Sequence, residues 1–491
     1  MSRPKTNYGI PIPSSSTHSN SHNTTSRPMP PLTTTNVAAI AKSINSGSMN
    51  IFNGSNTRTR QPSRFTQPST ERPIQTTLQQ TRLLSQDRSN VQTNGTTHDY
   101  KEQLTINPTV TVYSIASTPN QKTSYSNNQS TTSKSSVITT TNELDLKNGG
   151  LCGLQNLGNT CFMNSVLQCL SNTKPLLLYC LDDKLENQLN TSTTSVMKGV
   201  LMKEYASLIR KMWLPSENRS IVSPSSFKNT IGKFAPRFTG YSEQDSQEFL
   251  RYLLQGLSED VNRIREKPVL IKVDEKQEER MKEIDRAKAS WQRCLRYENS
   301  QLVDIFAGQL KSTLECSYCQ YQSITFDMFW DLSIPLPRNK SSTTLQECFQ
   351  LFMSREELDG DEKPMCAKCK QKRPCTKQLS IQKCPEILVL HLKRFTQSFG
   401  RGKLNNFVDF PIQNLELTDF MSESSENPSP TYNLFGISNH SGSLYTGHYV
   451  AECKHPFTHE WHEFNDSSVH PISNETKIVS SNAYVLFYER K

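Results

Sequence analysis

The chain has 491 residues and a formal net charge of +9, and its composition changes sharply near residue 150. All 13 cysteines and all four tryptophans follow Gly150. Residues 1–148 are rich in Ser, Thr, Asn, Gln and Pro, and they carry 14 Lys and Arg against six Asp and Glu. Such a polar segment cannot bury enough apolar surface to offset its chain entropy. We therefore expect residues 1–148 to be a disordered, weakly basic tail and residues 149–491 to form a folded domain.

Length and composition exclude several classes of protein. The sequence has no stretch of about 18 apolar residues, and its first residues lack the apolar core of a signal peptide. We therefore expect no membrane span, and a cytoplasmic or nuclear location. Disulfides are not expected there, so the cysteines should serve catalysis, metal binding or burial. Residues 149–491 hold 41 Lys and Arg against 40 Asp and Glu, which predicts no nucleic-acid partner. We also expect a monomer.

The first part of the folded region is predicted to be helical. The segments CFMNSVLQCLSNT and YSEQDSQEFLRYLLQGLSEDVN both place apolar residues at helical spacing. Residues 274–298 have charges of alternating sign, which predicts a single solvated helix on the surface.

The second part is predicted to form strands. Its segments are short, rich in β-branched and aromatic residues, and bounded by turn residues: FDMFWDLSIPLP, EILVLHLKRF, YNLFGISNHSG, GHYVAECKH and AYVLFYER. Because the helices come first and the strands later, the pattern favours an α+β fold over a parallel sheet of βαβ units.

A candidate nucleophile lies in the segment GLQNLGNTCFMNSVLQCL. Two glycines break the chain before a predicted helix, so Cys161 falls in its first turn, where unpaired N–H groups favour a thiolate. A cysteine in an amphipathic helix is more often a small core residue, as we expect for Cys169. Asn156, five residues upstream, is a candidate oxyanion donor, although a turn asparagine often bonds only its own backbone.

A catalytic thiol needs a base, and His448 is the strongest candidate. It follows Gly447 in SLYTGHYVAEC and opens a strand-like run. His391, in LVLHLKRF, is the other candidate for the base. It alternates with apolar residues on a predicted buried strand, so we expect it to have a structural role. Asn465 and Asp466 follow His448 by 17 and 18 residues, so two short strands would bring them together. One of the two should orient the imidazole, and the other should assist in a different way.

Four cysteines form two CxxC pairs separated by 46 residues: Cys316, Cys319, Cys366 and Cys369. Four thiolates suit tetrahedral Zn²⁺, and a closed site with four protein ligands is structural. The sequence therefore predicts one structural zinc ion. Cys375 and Cys384 lack the spacing and are expected to be bystanders.

Seven segments together resemble the ubiquitin-specific protease family of cysteine peptidases. They occur in the order found in the family: GLQNLGNTCFMNSVLQCL, YSEQDSQEFLRYLL, FAGQLKSTLEC, LVLHLKRF, YTGHYVAEC, WHEFNDSSV and AYVLFYER. The resemblance covers about residues 150–491 and none of the tail. It implies a papain-like architecture of thumb, palm and zinc-bearing fingers.

The resemblance also implies roles for single residues. Cys161 matches the nucleophile of the family, His448 its base and Asn465 the third member of its triad. Asp466 matches a neighbour that assists the triad, and Asn156 matches the oxyanion donor. Many relatives carry Asp where this chain has Asn465.

The substrate that the resemblance implies is ubiquitin, whose tail reads Leu-Arg-Leu-Arg-Gly-Gly. Asp245 and Glu248 match family positions that bind this tail, and their spacing predicts one face of a helix. Gly447 lies in SGSLYTGHY, which is similar to a loop that covers the tail channel. The implied activity is hydrolysis of the isopeptide or peptide bond after the last glycine of ubiquitin. Alternatives are a protease for a ubiquitin-like modifier and a non-catalytic ubiquitin-binding scaffold.

Overall fold

The structure is a computed structural model that describes residues 146–214, 220–395, 402–427, 429–443 and 446–491. Residues 1–145, which include nearly all of the predicted disordered tail, lie outside the described residues. So do residues 444 and 445, within the segment predicted to cover the tail channel. Leu146, at the end of the predicted tail, is buried against the main core.

The helices of the described residues are concentrated in the first half of the folded region. They are α1 (Cys161–Ser171), α2 (Lys174–Leu181), α3 (Leu185–Gln188), α4 (Val200–Trp213), α5 (Ser225–Phe234), α6 (Ser246–Asp260), α7 (Glu275–Glu279), α8 (Glu283–Leu295), α9 (Gln301–Phe306) and α10 (Leu345–Met353). Short 3₁₀ turns cover Pro236–Phe238, Gly360–Glu362, Thr418–Phe420 and Glu475–Lys477.

The strands dominate the second half. They are β1 (Gly153–Leu154), β2 (Ile221–Val222), β3 (Gly308–Cys316), β4 (Gln322–Phe329), β5 (Leu332–Pro335), β6 (Ser342–Thr344), β7 (Glu356–Leu358), β8 (Cys375–Lys383), β9 (Ile387–Lys393), β10 (Phe407–Asp409), β11 (Leu415–Glu416), β12 (Thr431–Gly442), β13 (Gly447–Lys454), β14 (Trp461–Asn465), β15 (Ser468–Pro471) and β16 (Ala483–Arg490). The α+β fold predicted from the sequence is confirmed.

The largest sheet forms the palm. Its strand order is β15-β14-β13-β12-β16-β9-β5, and β11 pairs with β12 outside this path. Its pairs are antiparallel except for β5 and β9. Strand β9 reads as a nearly continuous apolar run and is mostly buried, as expected for a strand with neighbours on both sides and both faces covered.

Helix α1 is the central element of the thumb. All eleven of its residues are buried, because it packs against α6 and against strands β12, β13 and β14 of the palm. Its polar side chains are paired within this core: Ser165 Oγ lies 2.9 Å from Ser438 Oγ, and Gln168 Nε2 donates to the Cys152 carbonyl at 2.9 Å. Packing on both sides fixes the first residue of α1 relative to β13.

The fingers are a separate four-stranded sheet of order β4-β3-β8-β7. Helix α8 packs on strand β4, and Ser290 Oγ donates to the Phe326 carbonyl at 2.9 Å. The prediction of one continuous helix over 274–298 was wrong, since the chain forms α7 and α8 with a break at 280–282. No helix in the described ranges is both long and apolar enough to cross a membrane.

Candidate active site

Cys161 begins helix α1 and is 5% exposed. The preceding residue, Thr160, is the N-cap, but its hydroxyl accepts a hydrogen bond from the N–H of Leu157 and does not bond the helix. The backbone N–H groups of Tyr449 and Phe162 act to lower the pKa of the Cys161 thiol. Helix α1 packs on strand β13, so the thiol lies at the start of a helix that contacts the strand carrying His448.

Burial raises the pKa of the Cys161 thiol above its ordinary value. The N–H of Tyr449 opposes this shift, while the charges of Asp466 and Glu243 add to it. The predicted position in the first helical turn is observed, but the expected preference for a thiolate is not. Desolvation of the charged sulfur outweighs the N–H donors that stabilise it. The thiol therefore needs a base to take its proton when it reacts.

His448 and Asn465 are joined by a hydrogen bond between adjacent strands β13 and β14. His448 Nε2 lies 2.8 Å from Asn465 Oδ1. Because the amide oxygen only accepts, Nε2 carries the proton and Nδ1 holds the lone pair of a base. The rival His391 is half-buried on strand β9, where desolvation lowers its pKa, and its Nδ1 lies 3.0 Å from Ser333 Oγ.

Asp466 is hydrogen-bonded to two asparagines. Its Oδ2 accepts from Asn156 Nδ2 at 2.9 Å, and its Oδ1 accepts from Asn164 Nδ2 at 2.7 Å. Asn164 is the third residue after Cys161 on α1, so it occupies the next turn of the same helix face. Asn164 was not predicted from the sequence, although its spacing of three residues from Cys161 was a signal.

The loop before α1 fixes both ends of the Asn156 side chain. Asn156 Oδ1 accepts from the N–H groups of Gly158 at 2.9 Å and Thr160 at 3.1 Å. Both interpretations of Asn156 from the sequence are therefore compatible. The amide oxygen closes a turn, one amide hydrogen goes to Asp466, and the other is left to donate to an oxyanion.

Asp245 is the N-cap of helix α6. Its Oδ1 accepts from the N–H groups of Gln247 at 2.8 Å and Glu248 at 3.0 Å, and its Oδ2 accepts from the Tyr484 hydroxyl. The spacing predicted that Asp245 and Glu248 share one face of a helix. That prediction was wrong, because Asp245 precedes the helix as its N-cap. Its charge nevertheless lies at the end of the helix that faces the palm strand β16.

Glu248, in the first turn of α6, is paired with Arg237. Burial raises the pKa of the Glu248 carboxyl group, and the charge of Arg237 opposes that shift. Its side chain is 38% exposed. An arginine of a substrate would therefore have to compete with Arg237 or join it at this carboxylate.

Gly447 opens strand β13 and lies in a crowded position. A Cβ atom there would be 2.1 Å from His440 Nε2, so a side chain cannot be accommodated. Its N–H donates to Glu243 Oε2 at 2.9 Å. Glu243, which is exposed on the segment before α6, was not predicted from the sequence.

The fingers carry the four cysteines of the two CxxC pairs. Their sulfurs all lie within 4.8 Å of one another, and those of Cys319 and Cys366 are 3.6 Å apart. Tetrahedral Zn²⁺ with bonds of about 2.3 Å places its sulfur ligands roughly 3.8 Å apart, so the cluster fits that ion. The two knuckles have matching turns: Gln320 and Lys370, each with positive φ, donate to the carbonyls of Cys316 and Cys366 at 2.8 Å.

Two further cysteines were expected to be bystanders. Cys375 lies directly opposite Cys316 in the pairing of β3 and β8, packs with Cys316 and Cys366, and donates from its thiol to the Arg373 carbonyl at 3.4 Å. Cys375 thus lines the cluster from the side, which the spacing along the chain does not reveal. Cys384 packs in the palm, with its sulfur 3.6 Å from Met421 Sδ.

The fold and this arrangement of thiol, imidazole and amide are those of the papain-like class of cysteine protease domains. The family model described as ubiquitin carboxyl-terminal hydrolase matches residues 152–488. The chain belongs to the ubiquitin carboxyl-terminal hydrolase family, which confirms the resemblance seen in the sequence.

Named relatives of the family are similar over the folded region. Ubiquitin carboxyl-terminal hydrolase 2 of Rattus norvegicus is 48% identical over 342 residues, which is 69% of this chain and 54% of that protein. The protein of the same name from Gallus gallus is 50% identical, over 93% of its length. Ubiquitin carboxyl-terminal hydrolase 21 of Homo sapiens is 41% identical, over 70% of this chain and 62% of that protein. The matched region spans about half the length of the rat protein.

Solved structures with a similar fold include the SAGA DUB module Ubp8/Sgf11/Sus1/Sgf73 bound to monoubiquitin. That chain has a TM-score of 0.55 and 27% identity, and the match covers 70% of both chains. The same module bound to ubiquitin aldehyde has a TM-score of 0.54 and 27% identity.

Proposed function

We propose that this protein is a deubiquitinating thiol protease that hydrolyses the isopeptide or peptide bond after the C-terminal glycine of ubiquitin. The observation that carries the proposal is the position of Cys161 at the start of a helix packed on strand β13, whose His448 is hydrogen-bonded to Asn465. Membership in the ubiquitin carboxyl-terminal hydrolase family supports ubiquitin as the substrate.

In the first half of the reaction, His448 Nδ1 takes the proton of Cys161, and the thiolate attacks the carbonyl carbon of the terminal glycine. The oxyanion accepts hydrogen bonds from Asn156 Nδ2 and from the backbone N–H of Cys161. Asn465 keeps the ring of His448 in the required tautomer and orientation. The imidazolium then gives its proton to the leaving lysine amine, and a thioester remains on Cys161.

In the second half, His448 takes a proton from water, which attacks the thioester carbonyl. The same oxyanion donors act again. Collapse of this intermediate releases the ubiquitin carboxylate, and the proton returns to the sulfur of Cys161. Proton transfer by a positioned histidine contributes on the order of 10²–10⁴ to such a rate.

Recognition of the ubiquitin tail is assigned to groups around Gly447. The absence of room for a side chain at Gly447 suits a narrow channel for the two terminal glycines. Asp245 and Glu248 supply negative charge for the arginines that precede them. Asp245 is held as a cap and by the Tyr484 hydroxyl, so its charge is fixed in place.

The zinc ion belongs to the fingers and not to the reaction. Cys316, Cys319, Cys366 and Cys369 would hold it, and when bound it cross-links the two knuckles of a small sheet. We further propose that the enzyme acts as a monomer in the cytoplasm or nucleus, on ubiquitinated proteins, and that the catalytic domain spans residues 149–491.

The test of the proposed function uses ubiquitin with a C-terminal electrophile and ubiquitin with a C-terminal fluorophore. We expect Cys161 to be labelled by the first and the parent protein to cleave the second. Cys161→Ala should abolish cleavage while ubiquitin binding persists, and Cys169→Ala serves as the control for a buried thiol on the same helix. Cleavage by Cys161→Ala within tenfold of the parent would contradict the assignment.

Two other functions remain to be compared with the first. A protease for a ubiquitin-like modifier would have the same machinery and would cleave the modifier's fluorogenic derivative faster than that of ubiquitin. A ubiquitin-binding scaffold would bind ubiquitin and cleave neither. Parallel kcat/KM measurements on ubiquitin and its relatives separate the three outcomes.

A further inference from the structure

The carboxylate of Glu243 contacts the strand that carries the catalytic base. Glu243 Oε2 accepts a hydrogen bond of 2.9 Å from the N–H of Gly447, the residue directly before His448. The same charge acts on the nucleophile, because it raises the pKa of Cys161. Glu243 therefore lies within electrostatic reach of the thiol while it holds the first residue of β13.

The segment that bears Glu243 is anchored at its other end to the loop of the nucleophile. Asn159 Nδ2 donates to the Tyr241 carbonyl at 2.8 Å. The Tyr241 ring also packs on Gly158, where a Cβ atom would be 2.7 Å from Tyr241 Cδ1. Residues 240–243 thus form a strap, which runs from the loop before Cys161 to Gly447 before His448.

In the proposed reaction the ubiquitin tail must reach Cys161, and the strap joins the loop before that residue to the strand that carries His448. The extended backbone of the tail needs N–H and C=O partners, as any strand-like ligand does. Gly447 has no room for a side chain, because a Cβ atom would lie 2.1 Å from His440 Nε2, so only its backbone can contact a ligand there. In the substrate-free protein that N–H is already occupied by Glu243.

We propose that Glu243 is an autoinhibitory latch, which holds the N–H of Gly447 until the C-terminal segment of ubiquitin displaces it. This inference rests on the proposed function, since it takes the ubiquitin tail as the competitor. Binding breaks one hydrogen bond of the enzyme before it forms new ones, so the latch weakens substrate binding. It acts on KM and leaves the bond-making step to Cys161 and His448.

If Glu243 instead attracts the substrate, its removal should change KM in the opposite direction. The ubiquitin tail carries two arginines, and an exposed carboxylate beside the channel would attract them. In that case removal of the carboxylate would weaken ubiquitin binding. The direction of the change in KM therefore decides between a latch and an attractive contact.

Two substitutions separate the charge of Glu243 from its hydrogen bond. Glu243→Gln removes the charge but keeps an oxygen that accepts from Gly447, whereas Glu243→Ala removes both. We expect Glu243→Ala to lower KM for the fluorogenic ubiquitin substrate about fivefold, the equivalent of one hydrogen bond of about 1 kcal/mol. Glu243→Gln should change KM less than twofold. Glu186→Ala, which removes an exposed carboxylate paired with Lys203 on the surface, is the control and should leave KM unchanged.

A rise in KM for Glu243→Ala, or equal values of KM for the Ala and Gln variants, would overturn the latch. Amide hydrogen exchange of Gly447 in the substrate-free protein provides a readout that needs no ubiquitin. Exchange at Gly447 should be several-fold faster in Glu243→Ala than in the parent, and unchanged exchange would refute the contact. A parent protein that does not cleave ubiquitin would refute the proposed function, while exchange would still report whether Glu243 holds Gly447.

Discussion

Asp466 occupies a backbone conformation that few residues adopt, with φ of +48°. It lies in the two-residue turn between β14 and β15, where Asn465 pairs with Ser468. Such tight hairpins require positive φ, and Asp tolerates it better than most residues. Gly153 permits this turn to approach, because a Cβ there would be 2.3 Å from the Ser467 carbonyl oxygen. The turn therefore aims the Asp466 carboxylate at Asn156.

The contacts of Asp466 predict the effect of Asp466→Asn. The substitution places an amide group opposite the amide groups of Asn156 and Asn164. Because an amide has only one oxygen to accept their hydrogen bonds, one of the two bonds is lost and Asn156, the oxyanion donor, is no longer held in place. We expect kcat to fall by about 10²-fold, similar to the loss of one oxyanion donor, with KM nearly unchanged. Steady-state kinetics on fluorogenic ubiquitin would measure both constants.

A second variant for comparison is Asn465→Ala, which frees His448 from its partner and leaves Asp466 in place. It should also lower kcat, but the neutral amide does less than a carboxylate for the positive imidazole of the transition state. Full kcat in both variants would remove the two residues from the catalytic machinery.

The raised pKa of Cys161 predicts a pH dependence with a definite sign. A raised pKa means that the thiolate is scarce below that pKa, so alkylation of Cys161 by iodoacetamide should accelerate as pH increases. Asp466→Asn removes a negative charge that raises this pKa. In that variant the midpoint of the alkylation rate against pH should therefore move to lower pH, even though kcat falls. Alkylation rates across pH, read by mass spectrometry of Cys161, test the shift. A midpoint that stays in place or moves upward would contradict it.

Most residues of the candidate site could be singled out from the sequence, but their connections could not. His448 and Asn465 followed from strand patterning, because two adjacent antiparallel strands bring residues 17 apart together. The link from Asp466 to Asn164 did not follow, because it joins a hairpin turn to a helix that are about 300 residues apart in the chain. Contacts of that kind depend on how the thumb packs on the palm.

At the scale of elements, helix α6 depends on the carboxylate that caps it. Asp245→Ala removes the side-chain acceptor for two N–H groups and for the Tyr484 hydroxyl, so it should cost about 1 kcal/mol of folding stability as well as raise KM. Asp245→Asn keeps an oxygen for the cap and loses the charge. We expect it to raise KM with only a small change in Tm. Equal losses of Tm in both variants would mean that the charge itself stabilises the fold.

The fingers predict a dependence on zinc. Cys316→Ser should reduce the zinc content below one ion per chain and lower the stability by several kcal/mol, because metal binding energy is folding energy at a structural site. Metal analysis and Tm measurements with and without a chelator would test this. Cys384→Ser, a change in the palm, is the control and should leave the zinc content unchanged. Less than about 0.2 zinc per chain in the fresh parent protein would count against the site.

Strands were predicted more completely than helix breaks. The apolar and β-branched runs of β9, β12, β13 and β16 are local signals that burial then reinforces. The break between α7 and α8 was missed, because a charged sequence of good helix formers carries no glycine or proline to announce it. Packing of α8 on β4 decides where that helix begins, and no local signal reports that contact.

At the scale of the molecule, the start of the folded domain can be tested by truncation. Deletion of residues 1–145 should leave kcat/KM on fluorogenic ubiquitin nearly unchanged, because the catalytic contacts described above involve only residues after that segment. Deletion of residues 1–150 should lower Tm, since it removes Leu146 from the core and the Gly149 carbonyl, which accepts from His455 Nε2 at 3.1 Å. A tenfold loss of kcat/KM in the shorter deletion would mean that the tail contributes to activity.

The position of β16 in the palm has a consequence for synthesis of the protein. This strand is made after all the others described, yet it lies between β12 and β9 in the middle of the sheet. While it is still inside the ribosome, β12 has an unpaired edge, and the half of the sheet that carries His448 and Asn465 is not joined to the half that carries β9. Such long-range pairing forms late in folding. The nascent chain is therefore expected to be inactive as a protease until β16 has been inserted between β12 and β9.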